Sequence, residues 1–173
     1  MARLRPASAY RKQSQQPWAR YSKRKPRKSY VRAKPYTRLL VFNMGKDIED
    51  YDLTATLDTK EYIQLRSNAI ESARLEANRY LATKIPENFY FKVLVYPHNV
   101  LREHKMGTTA GADRLSRGMI RAYGKAVSVA ARLNEGQSLL MVKTRKGHEA
   151  DVREALTRAS KKLSGSYRVT FHS

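Results

Sequence analysis

The chain has 173 residues, of which 35 are Lys or Arg and 15 Asp or Glu, giving a formal charge of +20, and it contains no cysteine. That length suits one domain with a core, or one domain plus an extension, and a charge this large repels itself unless a polyanion neutralises it, which makes nucleic acid the expected partner. Disulfides and thiolate metal sites are excluded, and no apolar run approaches the ~18 residues of a membrane span. The opening MARLRPASAYRK lacks the apolar stretch of a secretory signal. A soluble, cytoplasmic protein with no membrane partner is therefore expected.

The charge is unevenly placed. Residues 1–38 carry thirteen Lys or Arg and no acid, whereas residues 39–100 hold seven bases and nine acids. The stretch 101–125 has a net charge of +4 and 126–173 of +5. Most of the positive charge thus sits on an extension and a loop, and the body is nearly ordinary.

In chain order, residues 1–38 read as a basic extension. Pro6, Pro17, Pro26 and Pro35 interrupt helix. Tyr10, Trp18, Tyr21, Tyr30 and Tyr36 are interleaved with bases, a composition suited to stacking on RNA bases while cations meet phosphates. The candidate RNA contacts here are Arg3, Arg5, Arg11, Lys12, Trp18, Arg20, Lys23, Arg24, Lys25, Arg27 and Lys28. A globular domain over 39–173 follows. Its first strand is expected at Arg38–Met44, closed by Gly45, with LTATL the best candidate for the next.

Ile70, Ala73, Ala77, Tyr80 and Leu81 recur at helical spacing and predict a helix from Ser67 to Lys84, ended by Pro86. Ser67 is the expected N-cap, and Arg74, Glu76 and Arg79 the expected outer face. FYFKVLVYP (Phe89–Pro97) reads as a strand. Ala126–Asn134 and Gln137–Thr144 read as an antiparallel pair turning at Asn134–Gly136. A second helix is expected at His148–Leu163 with Gly165 as its C-terminal cap, then a strand at Ser166–Phe171. Together these elements predict an α+β fold, a two-layer sandwich of two amphipathic helices on a mainly antiparallel sheet of about five strands.

Between the strands lies Arg102–Lys125, a long connection of the kind that usually carries function. It holds four of the eight glycines, Gly107, Gly111, Gly118 and Gly124, which let a backbone approach phosphate closely. Its bases Arg102, Lys105, Arg114, Arg117, Arg121 and Lys125 outnumber Glu103 and Asp113, and arginine's planar fork suits phosphate and stacking.

Enzymatic motifs fail when tested. Gly118 to Lys125 resembles a phosphate-binding P-loop, but five residues separate its glycines where four are required, and Ala126 replaces the magnesium-binding Ser or Thr. Glu49–Asp52 reads as a solvated acidic turn, and His98 as a capping or RNA-contacting residue rather than a base. Neither metal nor cofactor is expected. A small RNA-modifying enzyme lacks any motif to support it. A non-specific DNA-compacting protein remains the alternative, distinguishable by similar affinity for duplex DNA and folded RNA, although no helix-turn-helix or zinc-finger pattern is present.

Met106-Gly107, AGADRL (Ala110–Leu115), Gly118-Met119 and AYGK (Ala122–Lys125) resemble the glycine-rich loop of a large-subunit ribosomal protein family, called L-ten-e in archaea and eukaryotes and L-sixteen in bacteria. RPASAYR (Arg5–Arg11), IESARLEANRYL (Ile70–Leu81) and YPHNVLREHKM (Tyr96–Met106) agree with it, so the likeness spans the chain. It is similar to archaeal members, since it lacks the cysteines and longer tail of eukaryotic ones. The resemblance implies a structural, non-catalytic part of the large subunit, bound to its rRNA near the central protuberance and beside the tRNA sites. It implies a loop directed toward the peptidyl transferase centre, with Arg114, Arg117, Arg121 and Lys125 on RNA. The implied partners are large-subunit rRNA (the 5S rRNA neighbourhood among the candidates), tRNA and neighbouring ribosomal proteins, with no homo-oligomer.

Overall fold

A computed structural model describes residues 5–12, 35–47, 51–104, 110–111, 114 and 124–172. The α+β class holds, but the eight strands among these residues form two antiparallel sheets rather than one. Strands β1 (Asn43–Gly45), β4 (Phe89–Val93), β7 (Ser138–Thr144), β2 (Leu53–Thr59) and β8 (Tyr167–His172) make a five-stranded sheet in that spatial order. Strands β3 (Ile63–Arg66), β6 (Lys125–Leu133) and β5 (Asn99–Glu103) make a three-stranded one.

The two sheets are joined by a bend in a two-stranded ribbon. β2 runs into β3 through three residues, and β6 runs into β7 through Asn134–Gln137, so each arm of the ribbon crosses between sheets. Pairing continues around the corner, where Thr59 N–H donates to Gln137 O at 3.1 Å and Gly136 N–H to Thr59 O at 2.8 Å. This corrects the expected pairing of Ala126–Asn134 with Gln137–Thr144. The two segments are consecutive lengths of one bent strand; β6 pairs with β3 and β5, and β7 with β2 and β4.

Helix α1 is a single turn, Ser8–Arg11; α2 spans Ser67–Lys84 and α3 Glu149–Ser160. α2 matches its expected bounds because its stripe is unbroken: Ile70, Ala73, Ala77 and Leu81 are all fully buried. Arg66, in extended conformation, is its N-cap, so Ser67 is the first helical residue rather than the cap. Ile85 closes the helix with an N–H to Leu81 O bond of 2.8 Å before Pro86. α3 is shorter than expected. Glu149 and Asp151 occupy its first turn and Arg158 its last, as the helix dipole favours. Gly165 lies beyond that helix end, at φ +101°, where an added Cβ would collide with Ile63 Cδ1.

One core fills the space between the helices and the sheets. Phe91, Leu57, Leu140 and Val142 of the larger sheet, Leu65 and Leu133 of the smaller, and Leu81 and Leu156 of the helices have no exposed surface. Fully burying one such side chain contributes roughly 1.5–3 kcal/mol.

Three edges of the expectation move. Of the first expected strand only Asn43 and Met44 join the ladder with β4, Gly45 extending it, and single backbone bonds from Val93 N–H to Phe42 O and from Lys46 N–H to Phe89 O flank it. Leu39 still anchors the segment in the core, while Leu40 and Val41 are exposed. The expected strand Phe89–Pro97 ends at Val93, although Leu94 N–H still bonds to Leu139 O of β7 at 3.0 Å, and Asn99–Glu103 then enters the smaller sheet. Arg74, expected outside, is 8 % exposed. Its Nε and Nη2 donate to Glu71 Oε2 and Oε1 at 2.8 and 2.5 Å, and Nη1 lies 3.0 Å from Met44 Sδ.

Candidate nucleic-acid interface

The three-stranded sheet is the base from which both basic segments depart. β5 and β6 pair antiparallel to their ends, with Glu103 opposite Lys125. The glycine-rich connection therefore leaves and returns on adjacent strands, and its two ends are held side by side.

The first segment of the extension is fastened to the same sheet. Tyr10, 5 % exposed, packs on Leu101 of β5 and Ala130 of β6. Gln64 Nε2 donates to Tyr10 O at 2.9 Å and Arg66 Nη1 to Arg5 O at 2.8 Å. The guanidinium groups of Arg5 and Arg66 lie 5.8 and 5.9 Å from the Tyr10 ring centroid, within cation–π range. Burial first, and then the Glu103 charge, push the Tyr10 phenol above its ordinary value. It stays a neutral, packed ring across the physiological range.

The expected contact residues fall into distinct settings. Arg5, Lys12, Arg114 and Lys125 are exposed. Arg11 is half-exposed and holds Glu61 through two bonds of 2.8 and 2.7 Å. Arg102 is a β5 residue paired with Ala126, and at 5 % exposure it offers almost no surface. Expected at the start of a loop, it belongs instead to the strand, and burial draws its guanidinium below the ordinary arginine value. Gly111 (φ +77°) and Gly124 (φ +87°) adopt left-handed conformations that favour glycine. A turn bond from Arg114 N–H to Gly111 O, 3.1 Å long, follows the first.

Arg3, Trp18, Arg20, Lys23, Arg24, Lys25, Arg27, Lys28, Lys105, Arg117, Arg121, Gly107 and Gly118 lie outside the described residues. His98 is exposed, and its ring centroid is 4.7 Å from that of Tyr96, which stacks on Phe42 at 5.7 Å. No group of three His, Asp or Glu side chains that could hold a metal ion occurs among the described residues. No helix among them is long and apolar enough to cross a membrane.

Tyr36, named in the sequence only among the extension's aromatics, converges here with two residues that were not expected as contacts. Tyr36, Arg38 and Arg66 border a cleft beside Arg5 and Tyr10. The alternation Tyr36-Thr37-Arg38 was the available signal, because in an extended chain residues two apart share a face.

Residues 18–170 match the profile of the ribosomal protein L16p/L10e family. The chain belongs to that family. Its members are structural components of the ribosome and not enzymes. Among similar proteins, the large ribosomal subunit protein uL16 of Staphylothermus marinus is 41 % identical, over 97 % of this chain and 93 % of its own length. The uL16 of Methanocella arvoryzae is 44 % identical over 83 % and 84 %, and that of Hyperthermus butylicus 45 % over 79 % and 77 %. These relatives are archaeal, as expected from the resemblance to archaeal members.

Proposed function

We propose that this L16p/L10e protein is a structural constituent of the large ribosomal subunit in the cytoplasm. It binds large-subunit rRNA near the central protuberance, helps shape the aminoacyl-tRNA site and directs its basic loop toward the peptidyl transferase centre. The single observation that carries this reading is the common platform: extension and loop, the parts of the chain densest in net positive charge, are both rooted on the β3–β6–β5 sheet. A rigid base that fixes two cationic segments relative to each other suits a partner with its own fixed shape, such as folded RNA. Affinity then comes from phosphates met by exposed cations, Arg5, Lys12, Arg114 and Lys125 among them. tRNA, the 5S rRNA neighbourhood and adjoining ribosomal proteins are the remaining partners.

Sedimentation of a native lysate tests the reading. The protein should co-sediment with large subunits, and its appearance only in free fractions would refute the reading. The isolated protein should also lose roughly 10³–10⁵ in rRNA affinity between about 50 and about 200 mM salt if some six to ten phosphates are met.

A further inference from the structure

The cleft between α1, the start of α2 and strands β5 and β6 has a composition that generic phosphate attraction does not require. Arg5, Arg38 and Arg66 line it together with Tyr10, Tyr36 and Glu103. Three cations on one small concavity attract an anion. Two of them are already held, since Arg66 donates to Arg5 O and both guanidinium groups lie over Tyr10. Their positions are fixed before any ligand arrives, which lowers the ordering cost of binding.

The other lining groups select a base. Tyr36 is 75 % exposed, with no core contact to explain an aromatic side chain at that position. An exposed ring beside fixed arginines is a stacking platform. Glu103 places a carboxylate in the same cleft. A carboxylate repels a bare polyphosphate but accepts a hydrogen bond from the exocyclic amine of a base. We propose that this cleft receives one unpaired nucleotide of the RNA, its base stacked on Tyr36 with an amino edge toward Glu103, and its phosphate held by Arg5 and Arg38. Adenine, guanine and cytosine satisfy Glu103, whereas uracil carries no exocyclic amine.

This assignment rests on the RNA-binding reading above, and the test separates the two. Full-length protein is bound to deproteinised large-subunit rRNA by filter binding, and base reactivity is mapped with dimethyl sulfate for adenine and cytosine and with kethoxal for guanine. Tyr36→Ala and Tyr36→Phe are compared with the wild type; the exposure of Tyr36 leaves the core untouched in both. The expected result is one base protected by the wild type and by Tyr36→Phe, reactive again with Tyr36→Ala, with affinity falling about five- to a hundredfold. Wild-type binding with unchanged affinity and protections for Tyr36→Ala overturns the nucleotide site while leaving RNA binding intact. So does a loss of affinity with no single base changing reactivity. A wild type that fails to bind rRNA at all overturns both readings.

Discussion

Arg11 and Glu61, fifty residues apart, meet through two hydrogen bonds of 2.8 and 2.7 Å. The same carboxylate accepts from Ser166 N–H at 2.8 Å. One side chain in the β2–β3 corner thus ties down α1 and the entry to β8. The Arg11 guanidinium, with the Ser166 N–H, holds the Glu61 carboxyl below its ordinary value, against a smaller opposing effect of burial. A depressed carboxyl contributes stability that is complete above the unfolded value of 4.5 and is lost as pH falls through the lower folded value. Glu61→Gln should therefore cost about 1 kcal/mol or less at neutral pH, since both partners are part-exposed. The difference from wild type should shrink as pH drops below about 4. Urea titrations of both proteins at several pH values measure it, and a deficit that stays constant into acid would sink the assignment.

Arg74 presents the opposite balance. Its guanidinium is almost buried, and its charge is answered by Glu71, one turn earlier on α2. That hydrogen-bonded carboxylate holds the arginine further in its charged form, with burial opposing. Arg74→Ala would leave Glu71 without its partner and open a gap beside Met44. The expected loss is about 2–3 kcal/mol, below the range for a fully buried pair because Glu71 retains some solvent. Arg74→Met should recover part of it by refilling the space against Met44. Thermal melts of both variants decide the point, and equal destabilisation by both would show that packing contributes nothing.

Gly165 is required for two independent reasons. Its φ of +101° lies in the left-handed region, and a Cβ there would run into Ile63 Cδ1. Ile63 is fully buried at the start of β3, so its side chain has little room to move away. Gly165→Ala should destabilise by about 1–3 kcal/mol, read from the shift of the urea midpoint at constant slope. Gly147→Ala is the control. That residue also has positive φ (+107°), but a Cβ there meets nothing within 4 Å, so the cost should be smaller and come from the backbone alone.

What was legible in the sequence follows from the length and local pattern of each element. α2 could be read to the residue because eighteen positions carry one stripe and a proline follows. β2 and β8 were legible from β-rich runs. α1 is a four-residue turn whose stability comes from Tyr10 reaching the sheet, a contact invisible to local pattern. β5 hid within Asn99–Glu103, where Arg102 and Glu103 read as a basic loop. The β6–β7 error has a different origin. A short polar connection at Asn134–Gln137 satisfies a hairpin and a sheet-crossing bend equally, and only the matching bend at Thr59–Ile63 decides between them. The charge pattern directed the expectation of function to the extension and the loop. That both stand on one sheet, with Tyr36, Arg38 and Arg66 converging between them, is a tertiary fact.

The register at the loop base yields the sharpest test of the division between scaffold and loop. Glu103 and Lys125 are opposed across β5 and β6, so a short turn joining those strands can replace the connection without moving either. Ala110, Gly111 and Arg114, the described residues of that connection, are all exposed. Replacing Lys105–Arg121 with a short Gly- and Ser-containing linker should therefore leave the melting temperature within a few degrees of the wild type. The positive charge lost, Lys105, Arg114, Arg117 and Arg121 against Asp113, should lower the salt dependence of rRNA binding, by about 0.7–0.9 in the log–log slope for each phosphate contact removed. On the ribosome, the variant should enter subunits through its extension and body yet impair maturation or tRNA-dependent activity. Sedimentation profiles and peptide synthesis by reconstituted subunits measure these separately. A folded variant that supports normal synthesis would show the loop to be dispensable, whereas an unfolded one would show that it belongs to the scaffold.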